Sequence, residues 1–379
     1  MMNNKTYRVV SCDELVRIER TRGSATRWTP DIDVAIPSIS YGQLVPPDFP
    51  YWEWPPKNWH EPSYSVHAAK HYVFRDAKIH TETGVITVGN YCIKESLYLV
   101  FPEVQGWTRL SENEIAIPIM PESFIDKGFH ACCGYVGNRN YAHWWIDIVP
   151  VLGHQVLRRC FGDAVALLPQ IRSGYQRQTL DLIPEIKSTY TEIEADKCLL
   201  VGELHFVPSL TGGDYHPQPW NTVFIQELKA RIGISLEEKG VRRIYLSRRD
   251  ATARKMINED RICTIAARHG FEVLETGGMA LVDQVRTFAK ASHVISPHGA
   301  GLANLIFSAP ATRMLELHYD NSVNWSLRRM AAACNLSYGC LVGKQLPQES
   351  NQTEESAKEN GWHLPEDQFE HVISTQPFV

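Results

Sequence analysis

An α/β fold in two domains, with a β-rich N-terminal portion, is what this sequence predicts, and three observations carry the prediction. The chain has 379 residues, more than one hydrophobic core usually supports. From Arg243 onward, short β-branched runs alternate with helical stretches, the pattern of a parallel sheet with helices on both faces. Between Tyr64 and Phe101 the apolar runs are brief and broken by polar or glycine positions, which reads as strands joined by turns.

Taken in order, residues 28–63 hold Pro30, Pro37, Pro46, Pro47, Pro50, Pro55, Pro56 and Pro62 among Trp and Tyr. So many fixed φ angles and missing N–H groups predict irregular or edge structure. Strands are predicted at Tyr72–Phe74, Gly84–Val88 and Leu97–Phe101. Asn140 caps a helix over Tyr141–Arg159, with Pro150 as a kink inside it. Ala164–Leu168 and Cys198–Val201 read as buried strands, and the polar Thr211–Pro219 as the loop before the second domain. There the order is strand 244–246, helix 253–269, strand 272–274, helix 281–289, strand 293–295, helix 302–307, strand 314–317 and helix 323–334. Gln345–Glu359 is polar and reads as a linker before a closing segment.

Composition narrows the function. Net charge is -5 and the pI about 6.3, so the bulk charge favours neither nucleic acid nor an anionic membrane. Any phosphate must be held locally. The start, Met1 to Arg8, carries no signal-peptide core, and no uncharged apolar run reaches the roughly 18 to 20 residues of a membrane span. The nine cysteines are irregularly spaced without a Cys-x-x-Cys pair, which predicts reduced thiols. The expected location is cytoplasmic, including peripheral attachment at the inner membrane face.

In open α/β sheets, ligands sit outside the carboxyl ends of the strands. Four groups fall there: Ser247-Arg248-Arg249, Glu275-Thr276-Gly277-Gly278, Pro297-His298-Gly299-Ala300-Gly301 and Glu316-Leu317-His318. Arginine forks and a glycine turn at a helix start suit a nucleoside diphosphate. Each also has a plainer reading: a packing turn for the glycines and a solvated charged face for Arg248, Arg249 and Arg254. Glu316, inside an apolar strand, requires a partner, because a buried lone carboxylate is costly. A second constellation is His143 with Asp147, four apart on one helix face, with His154 able to join them if Pro150 permits. A carboxylate raises the basicity of an imidazole and orients it, as a general base requires. The plainer reading is a bond that holds an aromatic core helix. Asp31-Ile32-Asp33 resembles a D-x-D metal motif but follows no strand, so no metal site is predicted. The run Gly299-Ala300-Gly301-Leu302-Ala303-Asn304 approximates G-x-G-x-x-G but ends in Asn304 and opens no first Rossmann unit.

At these residues the chain resembles glycosyltransferase family 61, in particular its members of bacterial capsular polysaccharide biosynthesis. The matching blocks are Asn140-Tyr141-Ala142-His143-Trp144 with Asp147 and Pro150, Ser247-Arg248 through Arg254 to Asn258-Glu259, Gln284, His298 through Asn304, and Glu316. The resemblance implies a GT-B-like fold of two Rossmann-like domains facing across a cleft. It further implies an inverting transfer from a nucleotide-sugar, usually UDP-linked, to a glycan or lipid-linked glycan acceptor, with no metal or other cofactor. Carried over by position, Arg248 and Arg254 contact the diphosphate, the backbone from His298 through Gly299 and Ala300 to Gly301 cradles it, and Glu316 meets the ribose. Ser247 and Asn304 complete the expected donor site. Asn258-Glu259 stabilises the loop-helix corner, and His143 or Asp147 serves as base. The expected division is an acceptor-side domain over 1–220, a nucleotide-sugar domain over 221–345 and a closing segment over 346–379. An NAD-type oxidoreductase and a non-catalytic sugar-binding protein remain as alternatives.

Overall fold

The computed structural model describes residues 3–20, 22–28, 39–40, 42–45, 63–64, 70–81, 83–97, 105–132, 140–208, 219–235, 240–251, 253–320, 323, 326–347, 361–375 and 378. The D-x-D motif at Asp31–Asp33, most of the Pro-rich segment, the loop predicted at Thr211–Pro219 up to its last residue, the end of the strand predicted at Leu97–Phe101 and most of the linker predicted at Gln345–Glu359 lie outside these residues; Pro219 opens a helix instead. The chain forms two compact units: Met1–Ala35 with His67–Phe224, and Ile36–Val66 with Ile225–Val379. Among the described residues no helix is long and apolar enough to cross a membrane.

The chain opens with β1 (Asn4–Val10), α1 (Cys12–Ile18) and β2 (Ala25–Trp28). It then gives β3 (Ile39–Ser40), β4 (Gly42–Val45) and β5 (Ser63–Tyr64) to the second unit. The first unit resumes with β6 (His71–His80), β7 (Val85–Val88), β8 (Tyr91–Ile93), β9 (Thr108–Ser111), β10 (Glu114–Pro118) and β11 (Glu122–His130). After them come α2 (Tyr141–His143), a π-helical turn (Trp144–Ile148) and α3 (Val149–Arg158). β12 (Val165–Pro169), α4 (Gly174–Asp181), α5 (Pro184–Lys187), β13 (Tyr190–Ile193) and β14 (Cys198–Phe206) complete this unit's strands and helices up to the connecting helix.

These strands form one mixed sheet in the order β13-β12-β11-β14-β6-β7-β8-β1-β10-β9, with β2 also on β6. Its first four strands are mutually parallel, and β6, β7 and β8 run antiparallel beyond them. Tyr72, Phe74, Ala77 and Ile79 of β6 are buried against Leu199, Val201 and Leu204 of β14 in the core of this unit. The predicted β-rich N-terminal portion is this antiparallel part. Numbered from β11, the parallel strands stand in the order 3-2-1-4, and the segment carrying His143 leaves the carboxyl end of β11, where such an order reverses.

The second unit takes the rest of α6 (Pro219–Arg231), then β15 (Arg242–Leu246), α7 (Glu259–Arg268), β16 (Glu272–Leu274), α8 (Leu281–Ala289), β17 (Ala291–Pro297) and a 3-10 helix (Ala300–Phe307). β18 (Arg313–Tyr319), α9 (Ser326–Ala333), β19 (Ser337–Gln345), β20 (Trp362–His363) and α10 (Glu366–Ser374) follow. The sheet order is β16-β15-β17-β18-β19, parallel throughout. This is the doubly wound order 2-1-3-4-5, whose reversal falls between β15 and β17. β4 adds in parallel to the start of β19 and β20 antiparallel to its end. The apolar strands are covered on both faces, so Ile244, Tyr245, Val294, Ile295, Met314 and Leu315 are all fully buried, as continuous hydrophobic runs in parallel sheets require.

Three expectations are corrected here. The helix predicted from Ala253 begins at Glu259. Arg254 adopts a left-handed backbone, φ 56°, and Trp362 holds the turn through bonds with the main chain at 254, 255 and 257. The helix predicted over 302–307 is a 3-10 helix starting at Ala300. β19, for which the sequence reading had no strand, is nine residues long and almost wholly buried. The irregularity expected at Pro150, inside the helix after Asn140, is a widened turn directly before it. Pro150 is the second residue of α3, and the strain is taken up just before it, where Val149 N–H bonds to Trp144 O across a π turn. A proline lacks the N–H of a regular turn and crowds the carbonyl four residues back, and widening relieves both.

Candidate functional site

The carboxyl ends of β15, β17 and β18 converge on a pocket lined by Arg248, Arg254, His298, Leu317, Tyr319 and Trp362. Three adjacent arginines differ in what they touch. Arg249 is spent on carboxylates, reaching Asp260 at 3.0 Å and Glu275 at 3.2 Å. Arg248 and Arg254 form no ion pair among the described residues. Arg248 donates from Nη1 to the His298 carbonyl, and its backbone N–H donates to the buried Glu259 carboxylate at 2.7 Å. Burial, and then the nearby Arg254 charge, pull the Arg248 pKa below its ordinary value. Two guanidinium groups in a partly desolvated pocket, with no ion pair among the described residues, have the chemistry that attracts an anion. The left-handed Arg254 backbone stores strain of the kind that concentrates at binding sites.

The glycine turn serves this arrangement in a way its sequence does not disclose. Gly299 has extended backbone, φ 177°, that any residue could adopt. A side chain there would put Cβ 2.5 Å from Arg248 Nε and 2.8 Å from its Cδ. Gly299 is therefore the floor on which the Arg248 guanidinium lies. A Cβ at Gly301 would stand 3.2 Å from Leu246 Cδ2, so that position keeps the turn close to β15. Ala300 begins the 3-10 helix, whose first N–H groups lack acceptors within it. Asn304 is fully buried and donates to Gln284 Oε1 at 2.9 Å and to the Gly301 carbonyl at 3.0 Å, latching the turn from below. Ser247 is likewise buried, and its hydroxyl accepts from the Arg249 backbone N–H at 3.2 Å.

Behind His298 lies a closed polar cluster. Glu316 has no exposed surface, and its carboxylate accepts from His298 Nδ1 at 2.6 Å, Tyr338 Oη at 2.7 Å and His318 Nε2 at 3.1 Å. Burial raises the Glu316 pKa, but His318 and the donated hydrogen bonds outweigh it, holding the carboxyl well below the usual range. Burial lowers the His298 pKa against the opposing pull of Glu316. The arrangement is a neutral imidazole with Nδ1–H fixed on a carboxylate. Its ring is 18% exposed and lines the pocket. His298, Glu316 and His318 also have the composition of a metal site. The 2.6 Å between His298 Nδ1 and Glu316 Oε1 is a hydrogen-bond length; two ligands on one ion, at bonds of about 2.0 to 2.2 Å, stand about 3 Å apart. In this structure His298, Tyr338 and His318 are all hydrogen-bonded to Glu316.

In the first unit, Asn140 Oδ1 caps the helix by accepting from Ala142 N–H at 2.9 Å. His143 Nδ1 bonds Asp147 Oδ2 at 2.6 Å, with the side chains 31% and 19% exposed. Trp144 beside them is fully buried and donates from Nε1 to Thr179 Oγ1 at 3.1 Å. The tryptophan thus takes the anchoring role, and the His-Asp pair keeps an open side. His154 does not join the pair. It is buried at 1% exposure, its ring centroid 5.8 Å from that of Phe161.

Residues 141–315 match the family model of Glycosyltransferase 61. The matched segment starts directly behind the Asn140 cap, takes in the His143–Asp147 pair, Arg248, Arg254 and the 298–304 turn, and stops one residue short of Glu316. The match supports a glycosyltransferase, an enzyme with a donor and an acceptor. No curated protein matches the chain. Some residues of this arrangement were not singled out from sequence: Tyr338 bonds the Glu316 carboxylate behind His298, and Tyr319 and Trp362 line the pocket wall. Glu316 and His318 share a strand face by alternation, which is a readable signal. Trp362, more than 40 residues past β18, has none.

Proposed function

We propose that this glycosyltransferase is an inverting enzyme of the GT-B class. In this reading it moves a sugar from a UDP-linked donor to a glycan acceptor in capsular or other surface polysaccharide biosynthesis, without a metal. The observation that carries the reading is the pair Arg248 and Arg254, without carboxylate partners among the described residues, beside His298 at the β15/β17 reversal. An inverting transfer expels a nucleoside diphosphate, and guanidinium groups already in place stabilise that charge as it develops. Arginine forks match phosphate oxygens in pairs. We assign removal of the acceptor proton to His143, oriented by Asp147.

A thermal-shift screen of the full chain against UDP, GDP, CMP and NAD tests the reading. A ligand that binds only the folded state raises the melting temperature, by about 2.7 kcal/mol of stabilisation at a hundred times its Kd. UDP is expected to give the largest shift and NAD none, and UDP-sugars are expected to be hydrolysed or transferred on incubation. Stabilisation by NAD alone overturns the reading in favour of an oxidoreductase. Stabilisation by UDP-sugar without turnover, across a range of acceptors, leaves a binding protein.

A further inference from the structure

His298 occupies an odd position for a neutral ring. Its Nδ1 is committed to the buried Glu316 carboxylate, so in the neutral form its Nε2 carries a lone pair. It lines the same pocket as two guanidinium groups. Among the described residues the titratable and charged groups around it are Arg248 and Arg254 from the loop after β15, Glu316, His318 and Tyr319 from β18, and Tyr338 from β19. The His298 and His318 rings stack at 5.2 Å. Burial, and then the His318 and Arg254 charges, oppose a positive charge on His298. A bound diphosphate reverses that balance. Its negative charge offsets both guanidinium groups and calls for a donor where the lone pair stands, since a lone pair facing a phosphate oxygen is repulsive.

We propose that the donor diphosphate binds together with one proton, taken from solvent onto His298 Nε2 and stabilised there by the Glu316 carboxylate behind the ring. The proposal rests on the donor-site reading given above and adds a property that reading does not require. In it, Glu316 is a positioning residue: it fixes the tautomer and compensates the imidazolium, and it has no exposed oxygen left for a ligand. His298 becomes a third cationic donor only when the anion is present. The uptake has a defined sign. The complex holds more protons than the free protein and ligand, so UDP affinity rises as pH falls, over the window between the lowered pKa of free His298 and its raised value in the complex. Below about pH 6 the terminal phosphate of UDP itself gains a proton, so the effect is read above pH 7.

The test is calorimetric titration of the full-length protein with UDP at pH 7.5 in Tris, HEPES and PIPES. The slope of binding enthalpy against buffer ionisation enthalpy counts the protons exchanged. The expected result is uptake of between about one half and one proton, with affinity rising roughly 3- to 10-fold from pH 8 to pH 7. His298→Gln, which can donate but does not titrate, is expected to bind UDP more weakly and with no proton exchange. Glu316→Gln, checked for folding by its melting curve, removes the compensating charge and is expected to cut the uptake by at least half. UDP binding to the wild type without proton uptake overturns the proposal and leaves the donor-site reading standing. Undiminished uptake in either variant also overturns it, because the proton then sits elsewhere. Absence of binding by UDP and GDP alike overturns both.

Discussion

Arg248→Ala is expected to lower kcat/KM for donor-dependent transfer by an amount equivalent to about 2 to 4 kcal/mol of transition-state stabilisation, the usual cost of removing a preorganised charge-stabilising donor. The magnitude follows from where the group lies. Its guanidinium is partly desolvated, forms no ion pair among the described residues and is held by the His298 carbonyl over Gly299. Charges so placed interact more strongly with an arriving anion than charges in water do. Arg248→Lys is expected to recover only part of the loss, because an ammonium lacks the bidentate fork. Arg249→Ala is the internal control. That side chain is 44% exposed and already paired with Asp260 and Glu275, so its removal is expected to cost about 0 to 1 kcal/mol. Steady-state kinetics on the three variants, with circular dichroism to show an intact fold, decide the matter. Wild-type turnover in Arg248→Ala removes it from the site.

His143→Ala is expected to slow transfer by roughly 10²- to 10⁴-fold, the range for loss of a general base, while leaving UDP affinity nearly unchanged. The structural basis is the division of labour around the π turn. Trp144 is buried and bonded to Thr179, so the helix is anchored without the imidazole, and the His143–Asp147 pair remains partly exposed. Asp147 works through His143 in this account, so the double variant is expected to be little slower than His143→Ala alone, a strongly non-additive cycle. A structural pair gives the opposite pattern: melting falls, and activity falls only in step with folded protein. Kinetics per folded molecule, read beside melting curves, separate the two. If His143→Ala keeps normal turnover, Asp147 acting by itself is the next candidate.

The second unit was far more legible from sequence than the first, and the reason is physical. Its central parallel strands β15, β17 and β18 carry buried apolar runs, Ile244–Leu246, Val294–Ile295 and Met314–Leu315, that stand out in the sequence. α8 matches the sequence boundaries at both ends, Leu281–Ala289. Boundaries failed where a distant segment overrides local preference. Nothing near Ala253 announces that Trp362 fastens the turn at 254–257 and delays α7 to Glu259. The strand 337–345 went unread because Gly339, Cys340 and Gly343 dilute its β-branched character. At the site, the residue types at the strand ends were apparent, but their partners were not. Sequence cannot show that Arg249 is neutralised while Arg248 is not, that Gly299 is required by an arginine and not by its own backbone, or that Glu316 faces a histidine. Each depends on residues 11 to 51 positions apart.

The central claim is that a nucleoside diphosphate binds where β15 and β17 diverge, and amide hydrogen exchange of the full chain with and without saturating UDP tests it most directly. Ligand binding raises the free energy of local opening in the segments it contacts. The account predicts slowed exchange in peptides covering 247–257 and 298–304, and lesser protection of the same peptides in Arg248→Ala at equal UDP concentration. Saturating UDP that leaves both segments unchanged, or protects others in their place, contradicts it.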